Sequence, residues 1–244
     1  MREPGTGPRA GGPTTPGGID FFDVDHTLTR RSSGGRFLVA AMRRRVLPRH
    51  LLFVMAWYSL TYRLGLFRPG EYGEGFPLLR GISRDTLERI ARESFEQSLR
   101  HDLFPEARET VERLRAAGRR VMLATSSLDF IVQPLAEFLR VDGVLATELE
   151  FEAGSCTGRI RGLPMFRGGK MARVLSLLAS EGIRAEDCSF YSDSIYDLPL
   201  LESVGNPVAV NPDVRLRLVA RRRGWRIMAM TAALPGRSPA GGRR

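Results

Sequence analysis

The sequence predicts an α/β fold: a central parallel sheet with helices on both faces and a helical lobe inserted near its start. Three observations predict it. Short apolar runs of strand length alternate with stretches of helical spacing from about residue 100 onward. The stretch from Gly34 to about Arg100 breaks that alternation, being rich in Arg, aromatics and Leu at helical spacing. Finally, the polar residues of chemical interest follow strands or begin helices, where parallel sheets bind ligands.

The elements follow in order. Ile19 to Asp23 is a short apolar run ending in acid, suited to a buried parallel strand. The helical lobe after it is broken at Gly65, Pro69-Gly70 and Gly81. Pro105 to Ala117 reads as a helix ended by Gly118, and Val121 to Ala124 as a strand running into Thr125-Ser126-Ser127. Phe130 to Leu139 is helical, with Pro134 inside the pattern. Leu149–Phe151 and Gly158–Ile160 form a hairpin around Gly154, and Lys170 to Ser180 is a helix closed by Gly182. Ser189–Ser192 and Val208–Val210 are strands, with Asn211-Pro212 expected to open a last helix as N-cap and N1.

Composition narrows the function. A hydrophobic content of 43% and 8% aromatics allow an ordinary core. The net charge of +10 invites a nucleic-acid reading. However, the Arg residues are scattered, dense only at Arg43-Arg44-Arg45 and Arg221-Arg222-Arg223, and no zinc-finger, basic-zipper or RNA-binding signature accompanies them. No nucleic-acid partner is expected; attraction to anionic substrates or an anionic lipid surface fits better. Cys156 and Cys188 match neither a metal spacing nor a disulfide framework. With no apolar run in residues 1–18, a cytoplasmic location is expected, or one peripheral to the inner face of a membrane.

Four sequence features carry chemistry. Asp23 and Asp25 flank Val24 just beyond the first strand. In a turn, two such carboxylates can face one centre, one attacking phosphorus and the other moving protons. Alone, the pair reads equally well as solvated loop acids. Thr125 ends an apolar strand, where its hydroxyl and the N–H of Ser126 could hold a phosphoryl oxygen, although Thr-Ser-Ser is also common turn chemistry. Lys170 begins a helix, and it is the sole exception among 37 Lys and Arg side chains that are otherwise all Arg. A compact ammonium is not replaced by a planar fork, so that exception asks for a reason. Asp193 and Asp197, at another strand end, could place oxygens on a hard cation or cap a helix.

Asp23-Val24-Asp25-His26-Thr27, Thr125, Lys170 and Asp193 to Asp197, in this order, resemble the motifs of the haloacid dehalogenase (HAD) superfamily of phosphohydrolases. Tyr191-Ser192-Asp193-Ser194-Ile195-Tyr196-Asp197-Leu198-Pro199 is similar to the phosphoserine-phosphatase-like branch, subfamily IB. The resemblance implies a Rossmann-like core over 19–28 and 100–230 and an inserted helical C1 cap over 29–99, while composition alone reads 1–18 as a disordered leader and 231–244 as a disordered tail. It implies a phosphatase that hydrolyses a phosphate monoester through an aspartyl-phosphate on Asp23, with Asp25 as general acid and base. Thr125, Ser126 and Lys170 would bind phosphate. Mg²⁺ would be held by Asp23, Asp25, Asp193 and Asp197. The alternatives are a phosphotransferase or phosphomutase of the same fold, or a non-catalytic membrane-surface regulatory protein.

Two departures stand out. His26 occupies a position that is small in many members, and Ser32 stands where phosphoserine phosphatases generally carry a cap Glu, so phosphoserine is not implied. The expected substrate is a small phosphorylated metabolite or a phospholipid-like head group. Leu51 to Leu60 is the most apolar stretch; too short to span a bilayer, it reads as a buried cap helix, or as an interfacial one giving weak membrane contact through 46–67. Arg30, Arg31 and Arg36 are either substrate-facing cations or solvated hinge charges.

Overall fold

The computed structural model describes residues 17–48 and 75–231. The expected leader and tail fall almost wholly outside these residues, as do Leu51–Leu60 and most of 46–67. Among the described residues no helix is long and apolar enough to cross a membrane.

The sheet is parallel throughout. Its strands are β1 (Ile19–Phe22), β2 (Arg120–Leu128), β3 (Gly143–Thr147), β6 (Ser189–Ser192), β7 (Asn206–Val210) and β8 (Arg226–Met228), in the order β3-β2-β1-β6-β7-β8. β4 (Leu149–Glu152) and β5 (Ser155–Ile160) form a separate antiparallel hairpin, turned at Ala153 and Gly154, both with positive φ. Side chains alternate across the sheet as a two-residue period demands. Phe22, Leu123 and Tyr191 face α3 (Pro105–Ala116) and α4 (Asp129–Leu139); Phe21, Met122 and Phe190 face α5 (Gly168–Ser180), α6 (Leu198–Ser203) and α7 (Val214–Arg223). The Phe22 and Tyr191 rings stack at 4.1 Å across β1 and β6. With both faces covered, this is the helix-flanked parallel sheet expected of the alternating pattern, in the Rossmann-like form that the resemblance implied.

A third apolar cluster belongs to the helical lobe. α1 (Ser33–Arg43) and α2 (Arg84–Ser94) bury Phe37, Ala41, Leu87 and Ile90 together with Phe130 and Ile131 of α4. Ser32 and Ser83 cap these helices, accepting from the N–H groups of Gly35 and Thr86. α2 then passes through a π-helical turn at Phe95–Leu99 into a last turn at Arg100–Asp102.

The structure corrects one cap. Asp213, not Asn211, caps α7, accepting from the Leu216 N–H, and the helix starts at Val214. Asn211 sits at φ 43° with its amide tied to the Met230 backbone. Its side chain is spent on β8's exit, which leaves capping to the next acid. β3 and β8 were not anticipated: β3 begins at a glycine and β8 has only three residues.

The two chain passages between sheet and lobe are tied side by side. Thr29 bridges Leu103 in antiparallel fashion, and the Phe104 N–H donates to the Leu28 carbonyl. Asp102, buried at the end of α2, accepts from Arg30 Nη2 at 3.1 Å and Arg36 Nε at 2.6 Å. Arg30 and Arg36 are therefore hinge charges tied to a buried carboxylate that needs them, while each keeps contact with solvent. Since both guanidinium groups keep some solvent contact, Asp102→Ala strands no buried cation. It is expected to lower unfolding free energy by about 2 kcal/mol, the worth of a charged hydrogen-bond set. Urea denaturation checks this, and a loss below about 0.5 kcal/mol would show that the clamp is decorative.

Candidate active site

The strand order brings the chemistry together. β1 lies between β2 and β6, so the residues leaving its carboxyl end meet those leaving its neighbours. The Asp23 N–H donates to the Tyr191 carbonyl at 2.9 Å, which extends the β1–β6 pairing by one step and fixes Asp23 beside the 192–197 loop. Thr125 lies two residues past Leu123, the β2 partner of Phe22.

Lys170 is the hub. Its Nζ donates to Asp23 Oδ1 at 3.0 Å and Asp197 Oδ2 at 2.8 Å, with all three side chains buried. Asp197 Oδ2 also accepts from Ser192 Oγ at 2.7 Å. Thr27 and Asp193 form a reciprocal pair: Thr27 Oγ1 donates to Asp193 Oδ1 and accepts from the Asp193 N–H. Asp213 braces the same loop, accepting from the Ile195 N–H and donating its own N–H to the Asp193 carbonyl.

Asp25 is placed differently. Its two oxygens accept from the Ser33 N–H at 2.8 Å and Ser32 Oγ at 2.9 Å, at the amino end of α1. Ser33 Oγ in turn contacts Ser127 Oγ at the end of β2. Thr125 is buried, with its hydroxyl accepting from the Ser127 N–H, and Ser126 is exposed. His26 adopts φ 64°, the left-handed conformation natural to glycine, and its ring meets the Arg30 carbonyl.

Charge in the cluster is unbalanced. Asp23, Asp193 and Asp197 face a single ammonium. Burial pushes the Asp23 carboxyl up to about 7; Lys170 opposes that rise, and Asp197 and Asp25 reinforce it. Burial, then repulsion from Asp23 and Asp197, holds Asp193 well above the usual carboxylate range against the Thr27 hydrogen bond. Burial would lower the Lys170 ammonium, but Asp197 and Asp23 outweigh it and hold the group charged. Hard oxygen donors with surplus negative charge fit a divalent cation. No group of three His, Cys, Asp or Glu residues among the described residues forms a metal cage by itself. That is compatible with Mg²⁺, which commonly takes one or two carboxylates and fills its shell with water and phosphate.

The residues of the four chemical features are thus located. Asp23, Lys170 and Asp197 touch directly, Asp193 joins them through charge and Thr27, and Asp25 stands at the α1 terminus. Sequence reasoning missed Ser192 and Asp213; a Ser and an Asp flanking the 193–197 segment carry no signal apart from the contacts the fold creates.

The family described as haloacid dehalogenase-like hydrolase matches residues 21–202. A phosphoserine phosphatase of Mycobacterium tuberculosis is 34% identical over 214 residues, covering 85% of this chain and 69% of that protein. A histidinol-phosphatase of Neisseria meningitidis is 33% identical over 156 residues, covering 62% of this chain and 70% of that protein. The solved structure of a Bordetella pertussis protein of unknown function superposes with a TM-score of 0.76 at 32% identity, covering 86% of this chain and 97% of that one.

The charge surplus has a measurable cost. The folded carboxyls of Asp23 and Asp193 lie above their ordinary value of 3.8, so folding favours their neutral forms. That contribution is complete below about pH 4 and is lost as pH rises through the folded values, near 7 for Asp23. In EDTA, Asp193→Asn should therefore raise Tm by about 2–4 °C at pH 8, with a smaller gain at pH 5. Calorimetry at the two pH values checks this; an equal or lower Tm at pH 8 contradicts it.

Proposed function

The chain belongs to the haloacid dehalogenase-like hydrolase family, and from that membership we propose a phosphatase that hydrolyses a small phosphate monoester through a phosphoryl group carried on Asp23. One observation supports this above the others: the only Lys of the chain bridges Asp23 and Asp197 in a buried site at the carboxyl ends of β1 and β6. Relatives named for two different substrates, phosphoserine and histidinol phosphate, support the reaction class more firmly than any single ester.

In this reading an oxygen of Asp23 attacks phosphorus, forming an acyl phosphate as the ester oxygen departs. Asp25 protonates that oxygen and later takes the proton from the water that hydrolyses the acyl phosphate. Lys170 orients Asp23 and offsets charge building on the transferring oxygens. Thr125 and the Ser126 N–H hold one of those oxygens. Asp197 acts through Lys170, with Ser192 fixing it in turn. Asp23 and Asp193, with the backbone of Asp25, would hold Mg²⁺, whose positive charge favours the ionised nucleophile and the phosphate dianion together. The core over 19–28 and 100–230 carries these groups, and the lobe over 29–99 acts as a cap whose first helix begins on Asp25.

A phosphate-release screen over amino-acid, sugar, nucleotide and head-group monoesters, with and without Mg²⁺, tests the proposal. Release should require Mg²⁺, and Asp23→Asn should lower it by about a thousandfold or more. Lys170→Arg should not restore function, since a planar fork cannot occupy the point between Asp23 and Asp197. Comparable Mg²⁺-dependent release by Asp23→Asn would sink the mechanism.

A further inference from the structure

Arg167 stands where the backbone asks for glycine. Phe166–Gly169 forms a tight turn closed by the Gly169 N–H on the Phe166 carbonyl at 3.0 Å. Arg167, its first central residue, has φ 50° and ψ −123°, the type II′ geometry that normally takes glycine at that position. The turn cannot readily slide to relieve this, because a Cβ on Gly169 would meet the Pro164 carbonyl oxygen at 2.2 Å. Backbone strain of this kind persists where a side chain has a use.

The side chain indicates the use. Arg167 is only three positions before Lys170, and its guanidinium lies over the Tyr196 ring at 4.6 Å and the Phe166 ring at 5.4 Å. Those two rings are themselves 5.7 Å apart, so the stack joins the start of α5 to the loop carrying Asp193 and Asp197. Arg167 Nε is buried with no hydrogen-bond partner, and the residue makes no ion pair among the described residues. A guanidinium set against two rings, with its Nε donor unspent, is a fork available to an oxyanion.

We propose that Arg167 binds a second oxyanion, a carboxylate or another phosphate, on the leaving-group part of the substrate. The site thereby selects monoesters that carry one. In that reading Lys170 and Thr125 serve the transferred phosphoryl group, and the aromatic stack ties Arg167 to the loop that carries Asp193 and Asp197. The inference rests on the phosphate-monoester reading above and names the class of ester within it.

Matched ester pairs test it: 3-phosphoglycerate against glycerol 3-phosphate for a carboxylate, and fructose 1,6-bisphosphate against fructose 6-phosphate for a second phosphate. The wild-type kcat/KM should favour the doubly anionic ester at least tenfold in one pair, and Arg167→Met should cut that preference at least tenfold, mainly through KM. Arg167→Gly, which suits the turn, should lose the same preference while raising Tm by about 2–4 °C. Calorimetric binding of the same esters in an Asp23→Asn background reads the preference without turnover. A binding preference that depends on Arg167, without phosphate release by wild type, would support this inference while removing the hydrolase reading. No wild-type preference in either pair, or one unchanged in both Arg167 variants, overturns it.

Discussion

Everything at the carboxyl end of the sheet depends on one buried ammonium. Lys170 Nζ meets carboxylates from two different loops, at 3.0 and 2.8 Å, and without it the acids would lie side by side in a site closed to bulk water. Repulsion between buried like charges is the costliest arrangement a fold can hold, and removing the bridging charge would expose it in full. Geometry then explains the residue type. A spherical ammonium can sit between two single oxygens, whereas a guanidinium presents its donors in a plane and would need a different spacing. In a chain that otherwise uses only Arg, this is a position where the substitution is forbidden by shape.

The sheet order makes the hub possible. β1 is central and short, and pairing Phe22 with Leu123 on one side and Tyr191 on the other collects three loops at one point. Polar anchors at both ends of β1 hold its register, Asp20 on Arg119 and the Asp23 N–H on the Tyr191 carbonyl, since a slip would pull the buried Asp20 from its partner. The spacing of the buried acids is therefore inherited from the pairing of β1, with Asp213 and Ser192 trimming the acidic loop.

This explains what the sequence could and could not reveal. Strands and helices with strong periodicity, from Pro105–Ala116 to Gly168–Ser180, were legible because their pattern is local. So were the acids and the lone Lys, whose types are unusual where they stand. Asp102 was not legible: its meaning lies in Arg30 and Arg36, far away in sequence, meeting it at a crossing of two chain passages. The capping error at Asn211 has the same origin. Local preference named a residue whose side chain the neighbouring strand had already engaged. Arg167 was passed over too, since only the turn geometry reveals that its place belongs to glycine.

The overall charge and the local charge have opposite signs, and this constrains how an anionic ester arrives. The chain carries +10 overall, which draws phosphate from solution. Screening weakens that pull over about 8 Å at physiological salt, so it aids approach more than final docking. On the proposed mechanism, an incoming phosphate meets Asp23, Asp193 and Asp197 with Lys170 as the cation bonded among them. Burial, with repulsion from the neighbouring acids added to it, already raises Asp23 and Asp193. A divalent cation of the kind proposed above would relieve the repulsion among these acids that weakens the empty fold. The acids proposed to hold that ion, Asp23 and Asp193, are thus the ones that cost the empty fold stability above neutral pH.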